Sequence, residues 1–190
     1  MKKKLKMMII AIALCVSTAT NAQFSQKGDW VLGIVGDVGI GTNENLPLFG
    51  FGAKLQYNVS TPIRLEFAPM FAIETMEIYF VKTSVEVLEF NLNLHWLLPI
   101  GERINLYPLV GISPITAISD VSVFGTSVGG EATDWYLGIN FGAGIDIRLD
   151  DDHFINVELK YNTQWEGLLL RLGVAKKLGN TSRHGNTRRW

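Results

Sequence analysis

The residues from 138 to 162 sort by parity into an apolar set and a polar set, and this alternation constrains the fold more than any other feature. The apolar set comprises Ile139, Phe141, Ala143, Ile145, Ile147 and Leu149. A period of two is typical of a β-strand whose two faces meet different environments. Three consecutive aspartates at 150–152 interrupt the pattern and predict a tight turn. The alternation leaves open which face lies inside, since a soluble barrel buries its apolar face and a membrane barrel turns it towards lipid.

Similar alternation recurs along the chain and predicts eight strands. They are residues 30–41, 48–59, 63–74, 87–98, 104–113, 135–149, 154–162 and 168–177. Eight is an even number and the smallest common strand count among membrane barrels. Pro69, Pro108 and Pro114 cannot donate to a ladder, so we expect bulges or strand ends near them. The predicted fold is all-β: an eight-stranded antiparallel up-and-down transmembrane β-barrel.

The N-terminus has the composition of a secretory signal peptide. Lysines precede an apolar segment at 7–16, and small residues follow it, so cleavage is predicted after Ala22. Cys15 is the single cysteine and lies in this segment, so we expect no disulfide in the mature chain. The predicted organisation is a signal peptide at 1–22, a barrel at 23–179 and a polar basic tail at 180–190. A net charge of −1 gives no basic bias towards nucleic acid.

The polar parity of the predicted strands carries charges of both signs together with many glycines. The interior of an eight-stranded barrel has room only for side chains, so opposite charges could pair across it and fill it. The residues predicted to form this lumen charge network are Lys54, Arg64, Glu66, Glu89, Asp146, Arg148, Glu158, Lys160 and Arg171. The opposite arrangement would crowd most of the aromatic side chains into a soluble core. We therefore expect the apolar parity to face lipid and the lumen to be filled.

The predicted connections differ in length, and this difference predicts an orientation. Tight turns are expected at 60–62, 99–103 and 150–153, longer loops at 42–47, 75–85 and 115–134, and one further short connection at 163–167. Outer-membrane barrels have short periplasmic turns and longer extracellular loops. We therefore expect the N-terminus and the tight turns to face the periplasm, and the longer loops to face the outside of the cell.

Three stretches, "KGDWVLGIVGDVGIG", "LGINFGAGIDIRL" and "LLLRLGVAKKLG", carry a family resemblance. They resemble the first, sixth and last strands of small outer-membrane β-barrel proteins common in Bacteroidetes, of the OmpX and OmpA-transmembrane, porin-like type. The resemblance covers essentially the whole mature chain and implies a location in the bacterial outer membrane. One departure is the C-terminus: such barrels often end on an aromatic residue of the last strand, whereas here a polar tail follows Leu178 and the chain ends on Trp190.

The predicted barrel offers no recognisable catalytic constellation. His95 is expected on the lumen side, His153 in a turn and His184 in the tail. The histidine and serine two apart of outer-membrane lipid A deacylases are absent at the two barrel histidines, since Trp96-Leu97 follow His95 and Phe154-Ile155 follow His153. The aspartates at 150–152 cannot easily converge on one cation from a single tight turn, so a solvated turn is expected. We therefore predict no catalytic residue, no cofactor and no metal site.

Four functions remain open from the sequence. The first is a structural or interaction protein that presents surface loops, with a lumen filled by charged side chains. A narrow pore for small solutes is the alternative, and an enzyme acting on lipid ranks lower. A soluble lipocalin-like binding barrel also remains, because Gly28-Asp29-Trp30 matches the G-x-W motif of many lipocalins. The expected partners are outer-membrane lipid, the barrel-assembly machinery and an extracellular ligand bound through the loops, for a monomer that binds no nucleic acid.

Overall fold

The computed structural model describes residues 26–41, 47–78, 81–123, 126–127 and 132–180. Its strands are β1 (Asp29–Gly41), β2 (Pro47–Asn58), β3 (Ile63–Ile78), β4 (Val81–Trp96), β5 (Leu98–Ile100), β6 (Ile104–Val123), β7 (Thr126–Ser127), β8 (Ala132–Arg148), β9 (His153–Asn162) and β10 (Gly167–Asn180). Among these residues there is no helix with the length and apolarity that a membrane span requires. The predicted signal peptide, its cleavage point and most of the C-terminal tail lie outside the described residues.

The eight long strands form a closed ring. Each pairs antiparallel with its neighbours in the order β4-β3-β2-β1-β10-β9-β8-β6, and pairing between β4 and β6 joins the two ends of that order. The short strand β5 continues the β4 side after Leu97, and β7 adds two residue pairs to β6. Closure leaves no open sheet edge around the ring, which a barrel needs if it is to lie in lipid. The predicted fold class is confirmed.

The two ends of the barrel differ. At one end, which we call the turn end, tight connections follow β2, β5 and β8. At the other, the loop end, strands β3, β4, β6 and β8 run further than predicted, because their pairing continues to Ile78 opposite Val81 and to Ser119 opposite Ala132. The loops predicted at 75–85 and 115–134 are therefore largely strand in the described part of the chain. Their sequences do not alternate cleanly, so parity could not reveal them.

All three prolines singled out in the strands lie beside interruptions of the ladders, as expected. Near Pro69, the β2–β3 pairing passes from Gly52–Met70 to Leu55–Phe67 without the pairs between. The β4–β6 pairing likewise has a gap beside Pro114. Its last pair is His95–Leu109, so it stops next to Pro108. A proline has no N–H to donate, so each interruption falls where the ladder would have needed that donor.

The apolar parity faces outwards and the charged parity faces inwards. Leu159 is 52% exposed, for example, whereas Lys160 beside it is fully buried. Ile34 and Phe51 are 71% and 65% exposed, on strands whose alternate residues are buried. A soluble barrel would have the reverse arrangement, because exposed aliphatic side chains are unfavourable in water and unpaired buried charges are unfavourable inside. The soluble lipocalin-like alternative is therefore wrong.

The interior is layered along the barrel axis. Val31, Phe154 and Ala175 form a small apolar cluster at the turn end. A second apolar cluster near the loop end consists of Ala72, Val87 and Ile115, with Val85 and Trp165 packed against it. The charged side chains of the middle strands, among them Glu66, Glu158 and Arg171, lie between these two clusters. This arrangement places a polar site in the middle of the barrel, away from both openings.

The outward orientation of Ile34 predicts the effect of a charge at that position. We expect Ile34→Arg to lower the free energy of unfolding from lipid bilayers by about 2–4 kcal/mol, because a lipid-facing strand centre has to desolvate the guanidinium. Urea unfolding in phospholipid vesicles measures this quantity. Ile34→Ala controls for the lost side chain, and Glu102→Arg controls for added charge at the exposed turn end. An Ile34→Arg variant as stable as Ile34→Ala would show that this face is in water.

Candidate functional site

The lumen is the candidate functional site because it encloses a group of buried charged side chains in the middle of the barrel. Eight of the nine residues predicted for it are buried there: Lys54, Arg64, Glu66, Glu89, Asp146, Glu158, Lys160 and Arg171. Asp37 is buried with them and was not included in the predicted set, although its parity is the same. Among the described residues, the lumen network therefore contains four cations and five carboxylates.

Arg171 on β10 connects three carboxylates from different strands. Its Nε and Nη2 donate to Oδ1 and Oδ2 of Asp37 at 2.7 and 2.8 Å, a bidentate pair across the β1–β10 ladder. Its Nη1 lies 3.4 Å from Oε1 of Glu66 and 3.7 Å from Oε2 of Glu158. A planar guanidinium suits this arrangement, because its donors diverge in fixed directions towards several acceptors.

Arg64 on β3 forms a second centre nearer the turn end. Its Nη1 donates to Oδ2 of Asp146 at 2.6 Å across the barrel, and its Nε donates to Nδ1 of His95 at 3.2 Å. The guanidinium carbon lies 4.7 Å from the centre of the Tyr107 ring, and that ring stacks on His95 with centroids 4.6 Å apart. The Tyr107 hydroxyl in turn donates to Oε1 of Glu158 at 2.9 Å. One aromatic side chain thus links the Arg64 centre to a carboxylate beside Arg171.

Tyr107 depends on a glycine opposite it in the β6–β8 ladder. Gly144 pairs with Tyr107, and a Cβ added to Gly144 would lie 2.5 Å from Cζ of the ring. A side chain at 144 would therefore displace the ring from its contacts with His95 and Arg64. The inward glycines on β8 match the sequence expectation that small residues fit a crowded lumen.

Lys160 and Glu89 form the part of the network nearer the loop end. Nζ of Lys160 donates to Oδ1 of Asn91 at 2.6 Å and lies 3.8 Å from Oε1 of Glu89 and 3.9 Å from Oδ2 of Asp37. The hydroxyl of Ser113 also donates to Oε1 of Glu89. Lys54 is fully buried, and within the described structure its Nζ has no direct hydrogen-bond partner.

Amide side chains complete the network, and the sequence prediction omitted them. Asn140 donates to Oδ1 of both Asn91 and Asn93, at 2.7 and 3.2 Å. Asn93 and Gln56 donate to the two oxygens of Glu66, at 3.0 and 2.7 Å. These residues have the same parity as the charges, so the sequence carried the signal. Each amide supplies both a donor and an acceptor, which allows it to connect carboxylates to cations without adding charge.

Arg148 does not lie with the network, and the prediction for it is wrong in this respect. It is the last residue of β8, and its side chain turns to the connection that follows. There its Nε donates to the carbonyl of Asp150 at 2.9 Å and its Nη2 pairs with Asp151. Parity predicts which face a side chain leaves from, but a long side chain at a strand end can reach the turn instead.

The turn after β8 is organised around Asp150, as expected for a solvated turn. Its Oδ1 accepts from the backbone N–H groups of Asp152 and His153 at 2.9 and 2.8 Å, and Nδ1 of His153 lies 3.0 Å away. These hydrogen bonds favour the carboxylate and lower the pKa of Asp150 to about 2. The aspartate therefore stays ionised at neutral pH and fixes the turn.

Glu66, His95 and Glu158 approach the geometry of a metal site, since one ligand atom from each lies within 4.8 Å of the others. The donor set nevertheless does not fit a divalent metal. Arg64 can only donate, so Nδ1 of His95 accepts, and the proton of the neutral ring lies on Nε2. Nε2 faces Glu66 at 3.9 Å and has no free lone pair to give. The guanidinium groups of Arg64 and Arg171, which contact His95 and Glu158, also disfavour the binding of a metal cation here.

The loop end of the lumen is covered by the short connection between β9 and β10. Oδ1 of Asn162 accepts from the backbone N–H groups of Gln164 and Trp165, at 2.8 and 3.2 Å, which fixes this connection over the opening. Trp165 packs there against the apolar cluster near the loop end. Among the described residues the space between this cap and Asp37 and Glu89 is only about 10 Å³. A single water molecule needs roughly that much.

A closed barrel with an apolar outer wall and a charged, filled interior is a transmembrane β-barrel. The chain belongs to the family of the outer membrane protein beta-barrel domain, whose model matches residues 8–171. This membership places the protein in the bacterial outer membrane.

Solved structures agree with this fold. The N-terminal β-barrel domain of Pseudomonas aeruginosa OprF is 12% identical with a TM-score of 0.56, over 81% of this chain and 100% of that one. Ail, the attachment invasion locus protein of Yersinia pestis, is 14% identical with a TM-score of 0.54, over 80% and 99%. Neisserial surface protein A is 9% identical with a TM-score of 0.59, over 80% and 96%. At these identities the likeness shows the fold alone. No curated protein matches the sequence.

The cross-barrel contact of Arg64 predicts a large cost for its removal. We expect Arg64→Met to lower the free energy of unfolding by about 3–5 kcal/mol, because it leaves Asp146 buried without its cation. Urea unfolding in vesicles checks this. Arg103→Met, an exposed arginine in the turn before β6, is the matched control and should change stability little. Equal effects of the two substitutions would show that the lumen charges are solvated rather than paired.

Proposed function

We propose that the protein is a closed, non-conducting barrel whose role is structural or interactive and is carried by its loop end. The observation that carries the proposal is the filled lumen. In it, the charges of opposite sign contact one another, and apolar clusters lie towards both openings. On this account the charges serve stability and not transport or catalysis, and no cofactor takes part.

The energetics of the lumen support the closed state. An ion entering the barrel would have to displace a bidentate Arg171–Asp37 pair or the Arg64–Asp146 pair, and each is almost fully buried. Breaking such a pair leaves an uncompensated charge in a confined space, which is strongly unfavourable. Trp165 adds an apolar barrier at the loop end. For the barrel to act as a narrow pore, both ion pairs and the Trp165 side chain would have to move aside at the same time.

The loop end supports the interaction role because four adjacent strands project there. Strands β6 and β8 have 20 and 17 residues, whereas roughly 9–11 residues span a bilayer as a tilted strand. Pairing of β8 with β9 stops at Asn140–Asn162, but β8 stays paired with β6 as far as Ala132. We propose that this projecting sheet and its loops lie outside the cell and contact an extracellular ligand. Ail has been solved in complex with a heparin analogue, and the binding belongs to that protein.

The closed ring of strands also supports proposals about the oligomeric state and the surroundings of the barrel. Each of the eight barrel strands has a pairing partner on both sides, so we expect a monomer surrounded by outer-membrane lipid. We also expect insertion by the barrel-assembly machinery, although the chain continues past the last strand. An origin in Bacteroidetes remains a prediction.

Conductance in planar bilayers tests the closed lumen. We expect the parent protein to stay near background, because buried ion pairs fill the lumen. A variant opened by Arg171→Gly with Trp165→Gly should conduct measurably more, which shows that the assay would detect an open barrel. A steady channel of nanosiemens size in the parent would contradict the proposal and favour the pore.

Surface labelling tests the orientation. A peptide tag inserted after Gly125, between β6 and β8, should be reached by antibody on intact cells. The same tag inserted after Asp151, in the turn between β8 and β9, should be reached only after the outer membrane is permeabilised. Labelling of the second tag alone on intact cells would reverse the orientation.

A further inference from the structure

The outer wall of the barrel contains an apolar groove of about 540 Å³ in its turn-end half. Two rows of outward side chains, each following the register across β2, β3, β4 and β6, form its sides. One row is Tyr57, Leu65, Leu94 and Val110, and the other is Leu55, Phe67, Leu92 and Ile112. The floor is formed by residues between the rows, namely Glu66, Asn93 and Gly111. The side chains of Glu66 and Asn93 hydrogen-bond to each other in the lumen, so their backbone faces the groove.

The dimensions of the groove fit one extended hydrocarbon chain. Rows two residues apart along a strand are separated by about 6.8 Å, and four neighbouring strands span about 14 Å. One leaflet of hydrocarbon is about 15 Å thick. An α-helix, with a diameter of about 10–12 Å, is too wide to enter between rows at this spacing. The groove therefore suits a lipid chain better than a membrane-spanning helix.

The chemistry of the groove points to the same occupant. Its side walls contain only aliphatic and aromatic side chains, and it is continuous with the lipid-facing surface that family membership places in the outer membrane. At its turn-end margin Trp30 packs against Tyr57 with ring centroids 4.6 Å apart. Tryptophan and tyrosine favour the boundary between hydrocarbon and headgroups, because they combine an apolar ring with a polar group.

We propose that this groove binds one acyl chain of a membrane phospholipid, with the Trp30–Tyr57 pair at headgroup level. The hydrophobic effect does not favour this site over the rest of the wall, since lipid tails are equally apolar everywhere in the bilayer. Selectivity arises instead from packing, because the two rows and the Gly111 floor contact the chain on three sides. The groove lies in the turn-end leaflet, which is the periplasmic one if the proposed orientation holds.

Native mass spectrometry of the full barrel released from phospholipid nanodiscs tests the proposal. We expect the parent to retain one phospholipid after its other lipids have been removed. Leu94→Trp fills the groove and should lower this occupancy about tenfold, which corresponds to about 1.4 kcal/mol. Leu170→Trp is the matched control, because Leu170 is an equally lipid-facing leucine on β10 at 43% exposure. It should retain lipid like the parent.

Ile112→Phe fills the groove more mildly and covers the case in which Leu94→Trp does not fold. Equal retention in the filled variants and the parent would overturn the proposal, as would a parent that retains no lipid. A dimer in the parent that disappears in the filled variants would assign the groove to a second copy of the chain and would also overturn it. Conductance does not depend on this groove, so the closed-lumen proposal stands or falls separately.

Discussion

The requirement that every backbone amide be paired in a bilayer determines the rest of this structure. A sheet can meet it only by closing, and here closure is made by the β1–β10 and β4–β6 pairings. Once the ring is closed in lipid, each strand has one face towards hydrocarbon and one towards the inside. The apolar parity has to take the outer face, so the polar parity is confined to a narrow lumen. The buried charges are a consequence of this geometry.

A lumen of this width cannot leave its charges in bulk water, so most of them pair with one another; among the described residues, Lys54 makes no direct hydrogen bond. Arg171 and Arg64 each connect strands that are not neighbours, and the amide side chains between them supply the missing donors and acceptors. Within the described residues, four cations face five carboxylates, with a neutral His95 among them. Such a network stabilises the barrel only as a whole, because removal of one member leaves its partners buried and unpaired.

The alternation of residues was sufficient to predict the fold class and the inward parity, because each strand of a membrane barrel has two unlike faces. It failed where that contrast ends. The extensions of β3, β4, β6 and β8 do not alternate cleanly in sequence, so the pattern predicted loops there. Parity also could not show that Arg148 reaches into the turn.

The sequence could not predict which lumen side chains contact each other, for a different reason. Arg64 and Asp146 are 82 residues apart, and their contact depends on strand order, register and closure together. The same holds for the stacking of Tyr107 on His95, which needs Gly144 opposite the ring. Local patterns specify which side chains enter the lumen, whereas the closed ring decides which of them meet.

The central claim is that the lumen charges stabilise the barrel through direct pairing, and a double-mutant cycle on Asp37 and Arg171 tests it most directly. The free energy of unfolding from vesicles would be measured for the parent, Asp37→Asn, Arg171→Met and the double variant. Direct pairing predicts a coupling energy of about 1–3 kcal/mol, with the double variant more stable than the sum of the single effects allows. Additive effects would contradict the account, since they would mean that the two side chains contribute independently.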